Sequence, residues 1–165
     1  LRGNDFIIYV HKGFCRQKMK YIDHVNIVVE DLEAVRDFFL QFGFEEKDSS
    51  ELQGEWISRI VGLKDVRAKY SMLSLPQGQT NIELIKYYNP ESPKKTENYK
   101  ANQLGFRHIA FVVDDIEEHI DRLAAMGIEC FDEIQTYAKN GKRLVYFYGP
   151  EGIILELAQY PVVSC

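Results

Sequence analysis

The chain has 165 residues, 45% hydrophobic and 27% charged, which is enough for one domain with a real core or for two small modules sharing one. Its formal net charge of −5 argues against a nucleic-acid or anionic-membrane partner, either of which selects a basic surface. Cys15, Cys130 and Cys165 are an odd, widely spaced set that makes neither a disulfide framework nor a thiolate metal site, so a reduced, cytoplasmic setting is expected. The apolar run Phe6–Val10 is too short for a secretory signal or a membrane span.

Residues 1–18 are basic and irregular after that run and read as an N-terminal extension outside the core, with Met19 as a natural start. Tyr21 to Val29 is rich in Val and Ile and predicts a largely buried strand. Asp31 then caps a helix whose apolar face is Leu32, Val35, Phe39 and Phe42, and Gly43 ends it. A second strand begins at Phe44–Lys47. Residues 48–66 are polar and mixed, a loop or broken strand containing Glu55-Trp56-Ile57-Ser58-Arg59. Arg67–Leu75 and Thr80–Tyr87 form a hairpin about the turn Pro76-Gln77-Gly78-Gln79. The first module, 19–87, is therefore strand, helix and three strands.

Residues 88–104, with Pro90, Pro93 and several charges, read as a linker. The second module, 105–165, repeats the plan. Phe106–Val113 is a strand, and Asp115 caps a helix with Glu118 at the capping-box position. Ile116, Ile120, Leu123 and Met126 line that helix and Gly127 ends it. Ile128–Phe131 starts the next strand, and Arg143–Tyr148 and Ile153–Ala158 close the module around Gly149-Pro150-Glu151-Gly152. The repetition is direct. His24-Val25-Asn26-Ile27-Val28-Val29-Glu30-Asp31 returns as His108-Ile109-Ala110-Phe111-Val112-Val113-Asp114-Asp115, and Gly43 returns as Gly127. The expected class is α+β, with two tandem βαβββ modules in one domain.

Each module offers a histidine on its first strand and a glutamate on its last: His24 with Glu83, and His108 with Glu156. A lone strand histidine is more often a packed or edge residue than a ligand, and a glutamate between apolar neighbours usually marks a solvent face. A charged glutamate flanked by Ile and Leu is nonetheless expensive to bury uncompensated. Recurrence in register across both modules is what favours a site. If the modules pair about a pseudo-twofold axis, two imidazoles and two carboxylates suit one divalent first-row ion with positions left for water or substrate. Asn26 shares a strand face with His24 and is expected to line the cavity; Tyr146 joins it if the strand phase allows. Arg59 could hold a substrate carboxylate if its segment closes over the site, while Trp56 and Ile57 are equally well core or interface residues. His119 has Val35 as its repeat partner and reads as a helix-face residue.

These features together resemble the vicinal oxygen chelate superfamily of glyoxalase I, methylmalonyl-CoA epimerase, fosfomycin-resistance proteins and extradiol dioxygenases. The matching motifs are Ile22-Asp23-His24-Val25, Asn81-Ile82-Glu83-Leu84, Arg107-His108-Ile109-Ala110 and Gly149-Pro150-Glu151-Gly152-Ile153-Ile154-Leu155-Glu156-Leu157, with Gly149 where aspartate is usual. The resemblance implies a curved, mostly antiparallel sheet around a metal cavity, and a homodimer without nucleic-acid or membrane partners. His24, Glu83, His108 and Glu156 would be the ligands of one divalent ion per site: Ni, Zn, Co or Mn, ahead of Fe. With glutamate in both modules the site is most like that of glyoxalase I, a lyase acting on a thiol adduct of a small carbonyl compound through a metal-stabilised enediolate. By that analogy Glu156 is the expected base and Glu83 its symmetric counterpart. A dioxygenase would use His24, His108 and Glu156 and leave Glu83 surplus. A fosfomycin-type transferase would need a basic pocket, for which Lys139, Lys142 and Arg143 are candidates unless they form a solvated turn. A small-molecule binding or resistance protein needs only the cavity.

Overall fold

The computed structural model describes residues 20–94 and 99–162; the extension expected over 1–18 lies outside them. The first module is β1 (His24–Val28), α1 (Leu32–Gln41), β2 (Glu45–Gln53), α2 (Glu55–Val61), β3 (Arg67–Ser74) and β4 (Asn81–Asn89). The second is β5 (His108–Val112), α3 (Ile116–Ala125), β6 (Gln135–Tyr137), β7 (Lys142–Tyr148) and β8 (Ile154–Gln159), with a 3₁₀ turn at Pro150–Gly152. Each module keeps its own four-stranded sheet, ordered β1-β4-β3-β2 and β5-β8-β7-β6. The first strand runs parallel to the last because a helix carries the chain across between them. The other pairs are antiparallel. The fold is α+β, built of two βαβββ modules.

Both module-opening helices form for the reasons legible in the chain. The Asp31 carboxylate accepts the Ala34 amide and the Asp115 carboxylate accepts the Glu118 amide, each satisfying an otherwise orphaned donor. Gly43 and Gly127 follow at φ +84° and +75°, the left-handed conformation that releases a chain from a helix. The expected capping box is only half made, because the Glu118 carboxylate turns to Arg122 instead.

Two expectations need correction. Residues 48–66, expected as a loop or broken strand, are mostly regular structure: β2 runs on to Gln53, and the helix α2 follows. The start of β2 was expected at Phe44–Lys47, but its continuation escaped notice because it is almost wholly exposed and polar, so no alternation marks it; its ladder with β3 holds it. Only Ile57 of α2 is buried, in a small cluster with Val66, Ala68 and Ile85. The strand expected at Ile128–Phe131 is reduced to one bridge, Cys130 to Phe147, and the ladder resumes at β6.

The main core is shared. Ile82, Leu84 and Leu73 of the first sheet and Val145, Phe147, Leu155 and Leu157 of the second belong to one buried cluster, with Val35, Phe38 and Phe39 of α1 and Ile116 and Leu123 of α3. Aromatic contacts bridge the modules directly. Phe39 and Phe44 meet Phe111 edge-on at 6.5 and 5.7 Å between centroids, and Phe42 stacks on Phe147 at 6.3 Å. Side chains alternate along strands, so residues one position away from these point to the opposite face of each sheet, away from the shared core.

Candidate metal centre

On the first sheet that outer face carries His24, Asn26 and Glu83. The parallel register sets Asn26 beside Glu83, with His24 two residues earlier on the same face. His24 Nε2 lies 3.7 Å from Glu83 Oε2, and Asn26 Nδ2 donates to the same oxygen at 2.6 Å. The other imidazole nitrogen, Nδ1, sits 2.9 Å from Asp23 Oδ2. A carboxylate behind a ligating histidine fixes its ring and tautomer and raises its basicity as a ligand. Asp23 was not singled out from the sequence, although the adjacent pair Asp23-His24 was there to be read.

On the second sheet Ala110 lies beside Glu156, again with the histidine two residues earlier. His108 Nε2 is 3.2 Å from Glu156 Oε2, and the other carboxylate oxygen accepts from Lys142 Nζ at 3.0 Å. Tyr146 stands across the β7–β8 ladder from Glu156, and its hydroxyl reaches to 3.4 Å from His108 Nε2. Phe131 packs against the rings of Tyr146 and Tyr148, making an aromatic wall beside the pair. The Glu156 side chain is only 5% exposed and that of Lys142 23% exposed. The hydrogen bond that the Lys142 ammonium donates to Glu156 raises its pKa above the ordinary value. Burial, then the Glu156 charge, raises the Tyr146 phenol, so it stays a protonated donor at neutral pH.

The structure thus brings the four expected ligands together two by two. His24 and Glu83 share one face, His108 and Glu156 another, and the common core lies behind both. Among the described residues, no group of three or more His, Cys, Asp or Glu side chains gathers where an ion would sit. The donor set nevertheless fits a divalent ion. Ligands at about 2.0–2.2 Å from one ion stand about 3 Å or slightly more from each other, a separation that His108 and Glu156 meet at 3.2 Å and that His24 and Glu83 approach at 3.7 Å. Arg59 is not with them: its guanidinium binds Glu55 one turn back on α2 and is 76% exposed. Trp56 is exposed and Ile57 is buried. His119 lies on α3, with Nδ1 2.9 Å from the Asp115 carbonyl.

Known proteins are similar to this chain in sequence and fold. The crystal structure of a glyoxalase family protein from Bacillus cereus superposes with a TM-score of 0.83 at 32% identity, covering 90% of this chain and 99% of that one. A 2-epi-5-epi-valiolone epimerase from Actinomyces sp is 28% identical over 148 residues, 85% of this chain and 79% of that protein. The mitochondrial methylmalonyl-CoA epimerase of Mus musculus is 23% identical over 144 residues, 86% of this chain and 74% of that protein. The family model for Glyoxalase/Bleomycin resistance protein/Dioxygenase matches residues 21–157, both modules and all four histidine and glutamate positions included, and the chain belongs to that superfamily.

Proposed function

We propose that the protein is a metal-dependent isomerase or lyase of the glyoxalase I type, acting on a small carbonyl compound or its thiol adduct. The observation that carries this reading is the recurrence of a histidine–glutamate pair, at one register and chelating distance, on the outer face of each sheet. Two epimerases among the relatives support the coarser chemistry, proton transfer at carbon. A divalent ion (Ni, Zn, Co or Mn ahead of Fe), when bound, polarises a carbonyl oxygen and acidifies the neighbouring C–H. His24, Glu83, His108 and Glu156 hold that ion. One glutamate then takes the proton from carbon and returns it at the adjacent or same carbon; Glu156 is the analogue of the family base, and Glu83 serves the opposite face. Asn26, through its amide, and Tyr146, through its protonated phenol, donate to a substrate oxygen from the site faces. Asp23 keeps the His24 ring turned to the ion.

Two copies of the chain complete the site. The shared core lies behind both half-sites, and among the described residues no more than two of the four donors gather at one place. Among the described residues, β1 and β5 are both open sheet edges. Exposed apolar side chains cluster along them: Tyr21, Ile22 and Val28 at β1, Phe106 and Val112 at β5. Open edges flanked by apolar surface invite strand-to-strand pairing. A twofold axis that lays β1 against β5 of a second copy satisfies both edges at once and brings His24 and Glu83 to face the other copy's His108 and Glu156.

Elemental analysis of untagged protein tests this first, with one equivalent of metal per chain expected. Metal-loaded protein in D2O should then exchange the α-hydrogens of small carbonyl compounds or their hemithioacetals, read by proton NMR. Glu83→Gln and Glu156→Gln should each abolish exchange. No metal uptake, or exchange that survives both substitutions, overturns the reading. Iron as the resident metal would move the protein towards the dioxygenases.

A further inference from the structure

The two half-sites are alike in their histidine and glutamate but not in what stands beside the glutamate. Met72 faces Glu83 across its ladder and Tyr146 faces Glu156. Four residues before each stand Ala68 and Lys142, at matching places on the outer faces. Ala68 is fully buried, in the small cluster with Ile57 of α2. Lys142 instead puts an ammonium on Glu156 Oε1, leaving Oε2 to face His108. Arg143, next along the strand, points to the other face and binds Glu117 and Gln159. The cation is thus confined to one side of one glutamate.

We propose that Lys142 is a specificity residue that holds an anionic group, such as a carboxylate, on the substrate of this site. The inference rests on the metal-dependent reading above and adds the substrate's charge to it. Its basis is charge balance. Without metal, Lys142 and Glu156 neutralise one another in a largely buried setting. With a divalent ion in place, two imidazoles, two carboxylates and the ion sum to zero, and the Lys142 charge is left over. Asp23, the remaining carboxylate, lies behind His24 on the other half-site and is largely exposed. A three-quarters-buried ammonium whose counter-charge is engaged by an ion is costly until another anion meets it. An anionic substrate bound through its carbonyl oxygen on the Oε2 side supplies that charge on the Oε1 side.

The test uses the metal-loaded protein at low salt and two chelating probes, succinic monohydroxamate and its methyl ester, which lacks the distal charge, titrated by calorimetry. The wild type should bind the carboxylate about tenfold more tightly than the ester, a preference typical of one well-placed charge pair. Lys142→Gln, which keeps an amide donor for Glu156, should bind both probes alike with unchanged metal content. Lys142→Arg should restore the preference. Equal binding of both probes by the wild type, or a preference that survives in Lys142→Gln, overturns the assignment while leaving the metal reading intact. A wild type that takes up no metal overturns the metal reading and this assignment with it.

Discussion

At the scale of single residues the telling feature is how Glu156 is kept. A carboxylate flanked by Ile154, Leu155, Leu157 and Ala158 and almost wholly enclosed needs partners, and it has His108 on one oxygen and Lys142 on the other. Lys142→Met leaves that oxygen unpaired and should lower stability by about 2 kcal/mol in urea denaturation at neutral pH. The sign of the pH dependence follows from the raised Lys142 pKa. A cation stabilised in the folded state contributes fully below the ordinary lysine value of about 10.5 and less as pH climbs through the higher folded value. The gap between wild type and Lys142→Met should therefore hold flat from about pH 6 to 9 and narrow only above about 10.5. A gap that stays unchanged well above that value would mean that Lys142 does not stabilise the fold as a cation on Glu156. On the other half-site Asp23→Asn removes the carboxylate behind His24. It should weaken metal binding about tenfold in competition with a chromophoric chelator, with little change in stability.

At the scale of elements, α1 is tied to the second module through its N-terminus. The Glu151 carboxylate, on the 3₁₀ turn between β7 and β8, accepts the amides of Glu30 at 2.9 Å and of Asp31. It meets α1 at the positive end of the helix dipole. Glu151→Ala should cost about 1–2 kcal/mol, and hydrogen exchange should speed up in the first turn of α1 more than in α3, which has no such tether among its described contacts. What the sequence could disclose divides along the same line. Elements that recur were legible, because β1, α1, β5 and α3 combine a regular apolar period with an acidic cap and a terminal glycine. The two histidine–glutamate pairs were legible for the same reason. β2 was legible only at its start, since a strand whose faces both meet solvent has no period to detect. α2 was missed although Trp56, Ile57, Ile60 and Val61 stand at helical spacing, because seven residues around one buried isoleucine make a faint signal. The roles of Lys142 and Glu151 needed coordinates, because strand register chooses the partner of one and a contact across modules that of the other, whereas Asp23 acts on its own neighbour His24. Gly149 shows the same limit. It replaces the aspartate usual in the motif, and a Cβ there would come within 2.9 Å of Leu155 Cδ1 in the packed core. No periodicity shows that contact.

At the scale of the molecule, the position of the core decides how many chains a site needs. Both sheets spend their inner faces on α1, α3 and each other, so the outer faces diverge and the sheet edges β1 and β5 stay open. If a second copy closes both edges, the four ligands come from two chains, and mixing defective chains should repair a site. Two variants suffice: His24→Ala with Glu83→Gln, and His108→Ala with Glu156→Gln. Each alone retains only two donors at every site and should purify without metal. Co-expressed in equal amounts, they assort at random, so about half of the dimers carry one of each chain. Every such dimer has one site with all four ligands and one with none. Metal content should then rise to about a quarter of the wild-type value per chain, and to about half in the mixed dimer isolated by two different tags. In-chain pairing predicts no recovery whatever the ratio. A third variant, Val28→Lys with Val112→Lys, charges both edges without touching a ligand. It should shift the mass measured by light scattering from dimer to monomer and lose metal in parallel. A monomer that kept its metal would place all four donors on one chain after all.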